Sequence, residues 1–256
     1  MTASGREPAA NYSVTITKIE IMTPTVKNYT LQLTGGTRFR FKPGQFVQAY
    51  VPKGEGSVEK PYSIASPPHE QTAVELCIKR VEGGYVSNYF DGLKGGERLE
   101  LRGPLGKFHL REPVDSHLVF LATGTGIVPF RSMLRGLFPL APDAAWPPYQ
   151  FDPAASPHHA WLFFGVRHED EILYETEFRR MAGRYPNFHF IPTISRPTPK
   201  WTGATGYVQQ HLGRHLAGPA GTHAYVCGLM PMIEAARTAL KGMGFGREQI
   251  HYEIYT

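Results

Sequence analysis

The sequence predicts two domains of different class: an antiparallel β-barrel over residues 1–112, then a doubly wound α/β domain with a parallel sheet over 113–256. Three observations carry this. Up to residue 112, short stretches of apolar–polar alternation are broken by Gly, Pro and Lys. Beyond Arg111-Glu112-Pro113 the pattern changes to continuous apolar runs separated by helical periods. Between the first of those runs and its helix stands Gly124-Thr125-Gly126, a turn of the kind that holds phosphate.

In the first domain, strands are expected over 14–19, 29–33, 46–51, 74–79 and 98–101, with one short helix over 86–93. Turn residues separate them at Lys42-Pro43-Gly44, Pro52-Lys53-Gly54 and Lys94-Gly95-Gly96. Many short strands with regular turns suit a small closed barrel. In the second domain, strands over 117–122, 160–164, 188–194 and 224–227 alternate with helices over 128–138, 172–182, 207–216 and 232–243. Residues 139–159 are rich in Pro and Ala, carry two Asp as their charges, and read as an insertion loop.

A chain of 256 residues with 41% hydrophobic content can bury a core in each domain. No stretch has the run of about 18–20 apolar residues needed to cross a bilayer, and the first eleven residues lack a signal-peptide core. No membrane partner is expected. Two cysteines, Cys77 and Cys227, are too few for a disulfide framework or an iron–sulfur cluster. The expected setting is the cytoplasm, with any iron–sulfur partner a separate molecule. The net charge of +5 fits an acidic partner, an anionic ligand or an ordinary basic surface. Basic residues never run longer than a pair, so nucleic acid is set aside. His211 and His215 share a helical spacing without a third ligand and read as a solvated face; His158-His159 reads as loop decoration, and no metal site is expected.

The chemistry-bearing segments come in a definite order. Tyr62 and Ser63 follow Lys60-Pro61 on a strand, where neighbours point to opposite faces unless the backbone twists. Pro61 argues for an edge strand or a bulge. The pair reads equally as a flavin-stacking ring beside a hydroxyl and as barrel surface. Gly83-Gly84-Tyr85-Val86-Ser87 opens the short helix and either presents amides to a pyrophosphate or is capped by Ser87. Lys60 and Arg80 supply cations for the same phosphates. Thr125 and Gly126 stand where a helix dipole favours an anion, although Pro129 replaces the third glycine of a full dinucleotide fingerprint. Ser195 and Arg196 come just after the third strand of the second domain, and with Lys200 and Tyr207 they can clamp a 2′-phosphate or form a plain basic loop. Cys227 ends the fourth strand, at the sheet edge where ligands bind, or is a buried structural thiol. An aromatic-hydroxyl pair followed by a phosphate cradle points to a flavin that receives electrons from a pyridine nucleotide.

Taken in order, these segments resemble the ferredoxin–NADP reductase family. The resemblance rests on Lys60-Pro61-Tyr62-Ser63, Cys77-Ile78-Lys79-Arg80, Gly84 to Ser87, Gly103-Pro104-Leu105-Gly106-Lys107, Gly124 to Ser132, Ser195-Arg196, Cys227-Gly228-Leu229 and Glu253-Ile254-Tyr255. It spans about 60 to 256. It implies a β-barrel binding FAD through Lys60, Tyr62, Ser63, Ile78, Lys79, Gly84, Val86 and Ser87. It also implies an α/β domain binding NADP(H) through Thr125, Gly126, Ser195, Arg196, Lys200 and Tyr207, with catalysis in the cleft between the domains. By the same resemblance Tyr62 and Tyr255 sandwich the isoalloxazine, and Ser63, Cys227, Glu253 and Tyr255 form the hydride-transfer site. It further implies single-electron exchange with an acidic ferredoxin- or flavodoxin-like carrier received by Lys79 and Arg80, and a monomer is expected. An NADH-dependent reductase component of an oxygenase or cytochrome system is the alternative within the fold. A module that kept the fold and lost turnover is the alternative outside enzymes, and the intact Tyr62, Ser63, Glu253 and Tyr255 speak against it. Two departures stand out. Lys60 replaces the family's arginine, which removes a bidentate fork and predicts weaker, dissociable FAD. Thr256 extends past the terminal tyrosine.

Overall fold

The computed structural model describes residues 8–140, 149 and 151–255. Thr256, residues 1–7, and residues 141–148 and 150 of the 139–159 insertion lie outside them. The chain forms two compact units, Met1–Leu110 with Arg131–Gly136 and Arg111–Phe130 with Leu137–Thr256.

The first unit is an antiparallel six-stranded sheet. Its strands are β1 (Ala10–Thr23), β2 (Val26–Leu33), β3 (Phe46–Lys53), β4 (Gly56–Ser63), β5 (Ala73–Lys79) and β6 (Arg98–Leu105), in the order β4-β3-β6-β1-β2-β5. A bridge between Ile64 and Leu76 joins the end of β4 to β5 and closes the barrel. The alternation seen in the sequence faces Val14, Ile16, Leu31, Val47, Ala49, Val51, Val74 and Leu76 inward, all at most 1% exposed. Helix α1 (Tyr85–Asp91) lies between Gly84 and Gly92 and buries Val86, Ser87 and Phe90, a one-sided stripe. Phe90 is anchored where the Tyr29 hydroxyl donates to its carbonyl at 2.8 Å.

The second unit is an all-parallel sheet of β7 (His117–Thr123), β8 (Ala160–Val166), β9 (Phe188–Ile194), β10 (Ala204–Thr205), β11 (Thr222–Gly228) and β12 (Ile250–Ile254), in the order β10-β9-β8-β7-β11-β12. Its helices are α3 (Glu175–Arg184), α4 (Leu212–His215) and α5 (Met230–Gly242), together with the ends of α2 (Val128–Leu137), whose stretch Arg131–Gly136 belongs to the first unit. One sheet face packs Val119, Leu121 and Phe163 against Leu212, Ile233, Ala236 and Leu240 of α4 and α5. The other stacks Phe120 against Phe130 of α2 and Phe190 against Phe178 of α3, with ring centroids 5.0 and 5.3 Å apart. Covered on both faces, the central strands are continuously apolar.

The structure departs from the sequence reading at several elements. The expected helix over 172–182 begins at Glu175, because Ile172 is extended and Tyr174 is left-handed at φ 55°. The helix expected over 207–216 is a 3-10 turn (Val208–His211) followed by the short α4. Val208, Leu212 and Leu216 still reach the core, which is the period the sequence displays. Strands β10 and β12 carry no comparable sequence signal, being two residues long and an amphipathic edge respectively. His211 does not lie on a solvated face: it is 7% exposed and its Nε2 meets the Thr205 carbonyl at 2.8 Å. Nor is His158-His159 loop decoration. His159 hydrogen-bonds His189 at 2.9 Å between ring nitrogens and stacks on it and on Trp161, and His117 packs against both His158 and His159. These rings sit at the amino-terminal edge of the sheet, where strand register sets them side by side.

Candidate functional site

The first unit places its candidates along β4, β5 and the start of α1. β4 is the outer strand in the pairing order, and Pro61, opposite Gln48, needs no donor there. The irregularity is instead on β3, between Phe46 and Gln48. Regular pairing of β4 keeps Tyr62 and Ser63 on opposite faces. Tyr62 packs against the barrel core, half-buried, with its ring edge-on to Phe90 at 5.8 Å. Burial pushes its hydroxyl up to about 12, so it stays protonated and the ring is a fixed, neutral wall. Ser63 points away from that wall yet is 8% exposed. Lys60 and Lys79 are exposed. The Ile78 side chain is buried in the barrel, which leaves its backbone as what it can offer a ligand.

Gly84 is the N-cap of α1 in an extended conformation, and no side chain caps the first turn. Ser87 is engaged otherwise: its hydroxyl accepts from the Val81 N–H and donates to the Gly84 carbonyl, each at 3.1 Å. A Cβ on Gly84 would lie 2.7 Å from the Ser87 oxygen, so the tight approach requires glycine. A turn that compact, with first-turn amides left uncapped, suits a phosphate. Asp91 draws Lys27 to 2.8 Å and Arg80 to 3.7 Å, which partly neutralises Arg80.

In the second unit β7 runs into a 3-10 turn (Gly124–Ile127) and then α2. Gly124 has φ 52°. Gly126 lies against the end of β11, where a Cβ would come within 2.3 Å of the Cys227 carbonyl oxygen. Gly228 answers it, since its own Cβ would meet the Thr123 hydroxyl at 2.6 Å. The two strand ends therefore interlock through glycines, and Thr125 stands half-exposed at the junction.

Parallel pairing sets Cys227 beside Glu253, and the Tyr255 N–H donates to the Gly228 carbonyl at 2.9 Å. Cys227 is fully buried. Burial pushes its thiol up, Glu253 adds to the rise, and a hydrogen bond with the Tyr255 side chain offsets part of it. A thiol held protonated cannot act as a nucleophile, so its contribution is shape and polarity. The structure thus unites Cys227, Glu253 and Tyr255 at the carboxyl end of the sheet.

Ser195 and Arg196 follow β9 and are tied to the end of β8. Ser195 donates from its N–H and hydroxyl to the Val166 carbonyl at 3.0 and 3.4 Å, and the Arg196 N–H donates to the Arg167 carbonyl at 2.9 Å. The Arg196 and Lys200 side chains and Tyr207, 62% exposed, remain open to solvent. Beside them lies a cleft of about 570 Å³ lined by His168, Glu169, Asp170, Thr198, Lys200 and Trp201. Glu169 and Trp201 carry no motif and escape a reading of the sequence. Among the described residues no three His, Cys, Asp or Glu side chains are grouped to hold a metal ion, and no helix is long and apolar enough to cross a membrane.

Residues 13–110 match the oxidoreductase FAD-binding domain and residues 120–238 the oxidoreductase NAD-binding domain. The chain is 34% identical over 254 residues to ferredoxin–NADP reductase B of Sorangium cellulosum, covering 96% of this chain and 98% of that protein. It is 32% identical to the phenol hydroxylase P5 protein of Acinetobacter pittii, covering 96% of this chain and 65% of that one. Among solved structures, the Amycolatopsis cytochrome P450 reductase GcoB superposes with a TM-score of 0.83 at 27% identity, covering all of this chain and 73% of the other. A Neisseria gonorrhoeae ferredoxin NADP+ reductase with bound FAD and NADP gives 0.78 at 22% identity, covering 95% and 98%.

Proposed function

This chain belongs to the ferredoxin–NADP reductase family, and from that premise we propose which of its residues do the work and what it exchanges electrons with. It is an FAD-dependent oxidoreductase of the ferredoxin–NADP reductase type. The observation that carries the site reading is the convergence of Cys227, Glu253 and Tyr255 where β11 and β12 end, beside the interlocked glycine turn.

We take 1–112 as the FAD-binding domain and 113–256 as the nucleotide-binding domain. FAD, when bound, supplies the exchange between a hydride and single electrons. The protein's part is to hold, orient and shield. Tyr62 would give the flavin ring a flat neutral wall; by the resemblance alone Ser63, which strand alternation sets on the other face of β4, would belong to the hydride-transfer site. Lys60, Lys79, the Ile78 backbone and the uncapped turn Gly84, Val86 and Ser87 hold the pyrophosphate. Thr125 and Gly126 hold the phosphates of NADP(H), and Ser195, Arg196, Lys200 and Tyr207 hold its adenosine end. By the resemblance, Tyr255 would cover the flavin ring, and Cys227 and Glu253 would line the place for nicotinamide.

The partner in this reading is an acidic ferredoxin- or flavodoxin-like carrier, supported by the net charge of +5. The setting is the cytoplasm, supported by two buried cysteines that form no disulfide, and the chain acts as a monomer. A second reading, an NADH-dependent reductase component serving an oxygenase, is favoured by the 32% identity to the phenol hydroxylase P5 protein. The visible spectrum of the purified protein, taken anaerobically with NADPH and NADH in separate cuvettes, decides between them. Flavin bleaching at low NADPH alone supports the first, and equal bleaching by NADH supports the second. Absence of flavin after FAD is supplied would sink both.

A further inference from the structure

One carboxylate beside the Arg196 loop has no part in the roles assigned above. Glu169 begins the 3-10 turn Glu169–Glu171 that follows β8. Its Oε1 accepts from the Thr198 N–H at 2.7 Å and from the Thr198 hydroxyl at 2.8 Å. The Thr198 N–H is the foremost of several donors that hold this carboxyl below the usual range, so it is ionised at neutral pH. Neighbouring Glu171 is committed elsewhere, accepting from the Arg167 and His168 N–H groups at 2.9 and 3.1 Å.

The cleft around Glu169 is built rather than incidental. The Trp201 indole donates to the Ala204 carbonyl at 2.9 Å. Gly203 makes room for that ring, since a Cβ there would lie 2.5 Å from it. The result is a fixed aromatic surface in a cleft that Lys200, Glu169 and Asp170 also line. A 2′-phosphate carries up to two negative charges at neutral pH. Arg196 and Lys200 attract it, and Glu169 repels it. A ribose bearing a free 2′-hydroxyl meets no such repulsion and can donate to a carboxylate.

We propose that Glu169 is a specificity-determining residue: it pins the loop carrying Arg196 and Lys200 through Thr198 and opposes a 2′-phosphate, which limits the preference of the cleft for NADPH over NADH. This rests on reading the second unit as the nucleotide-binding domain. Two substitutions separate the roles. Glu169→Gln keeps an oxygen for Thr198 and removes the charge; Thr198→Val removes the hydroxyl donor and keeps the charge.

The test titrates the FAD-loaded protein with 2′,5′-ADP and with 5′-AMP by calorimetry, and measures kcat/KM for NADPH and NADH with an artificial acceptor. Glu169→Gln is expected to tighten 2′,5′-ADP about fivefold, the size of one exposed charge acting on another in water. Binding of 5′-AMP should then stay within about twofold, with the NADPH-to-NADH ratio of kcat/KM rising in parallel. Thr198→Val is expected to weaken 2′,5′-ADP without raising that ratio. An unchanged ratio of the two affinities in Glu169→Gln overturns the proposal. Failure of both nucleotides to bind the unsubstituted protein overturns the nucleotide-domain reading itself.

Discussion

Glu75 and Arg131 leave water together. Arg131 is 7% exposed, and its Nη1 donates to the Glu75 carboxylate at 2.6 Å and to the Ala65 carbonyl at 2.9 Å. Asn28 donates to the same carboxylate at 3.0 Å. Burial alone would raise the Glu75 carboxyl, but the guanidinium and the amide together hold it below the usual range. Its stabilisation is therefore complete above the unfolded value of 4.5 and lost as pH falls through the lower folded value. Removing one partner strands the other, so Arg131→Met should cost about 3 kcal/mol in urea unfolding. The double variant Arg131→Met/Glu75→Met should recover much of that loss. At the positions proposed for hydride transfer the expected effects are kinetic. Ser63→Ala should lower the rate of flavin reduction by about tenfold or more, with little change in the unfolding midpoint. Stopped-flow absorbance of the flavin reads the rate, and an unchanged rate would remove Ser63 from the hydride site.

At the scale of elements, the turn between β7 and α2 shows how little room the site has. Gly126→Ala places a methyl group within 2.3 Å of the Cys227 carbonyl oxygen, which must push the β11 end or the turn aside. The expected outcome is a loss of about 1–3 kcal/mol of stability and a larger loss of nucleotide affinity, measured by thermal unfolding and by 5′-AMP titration. The glycines themselves stand out in the sequence, since a turn between an apolar run and a helix invites them. Their reason does not, because Cys227 approaches from a hundred residues away. The same holds for Ser87, whose position suggests an N-cap and whose hydroxyl instead ties Val81 to Gly84. Long periodic elements such as β9 and α5 are readable because many residues repeat one signal. β10, β12 and the broken segment over 208–215 are not, since only their neighbours specify them.

Across the whole molecule, the histidines set an acid limit on the second unit. Burial, foremost, lowers His117, His189, His215, His223 and His251, the last to about 4, with neighbouring imidazoles or arginines adding to the effect. Imidazoles depressed in the folded state favour folding least at low pH: the unfolded chain takes up protons near 6.5 that the folded chain refuses. The melting temperature should therefore fall as pH drops from about 6.5 toward 4.5, before Glu75 begins to titrate. His251→Gln should make that fall shallower, and an identical slope would dissociate His251 from it. The role proposed for Lys60 in retaining FAD belongs to this scale too. Lys60→Arg is expected to keep more FAD through extensive dialysis than the unsubstituted protein, because a guanidinium engages phosphate through two parallel hydrogen bonds. The sequence by itself determined the two fold classes, the order of the motifs and the family, because periodicity and ordered short motifs are local properties that survive without contacts. Only the tertiary structure decided that Cys227, Glu253 and Tyr255 meet, that Glu169 grips Thr198, and that four histidines without a motif, His117, His189, His223 and His251, are partly withdrawn from water. Those facts depend on strand register and on pairs distant in the chain, which no window of sequence contains.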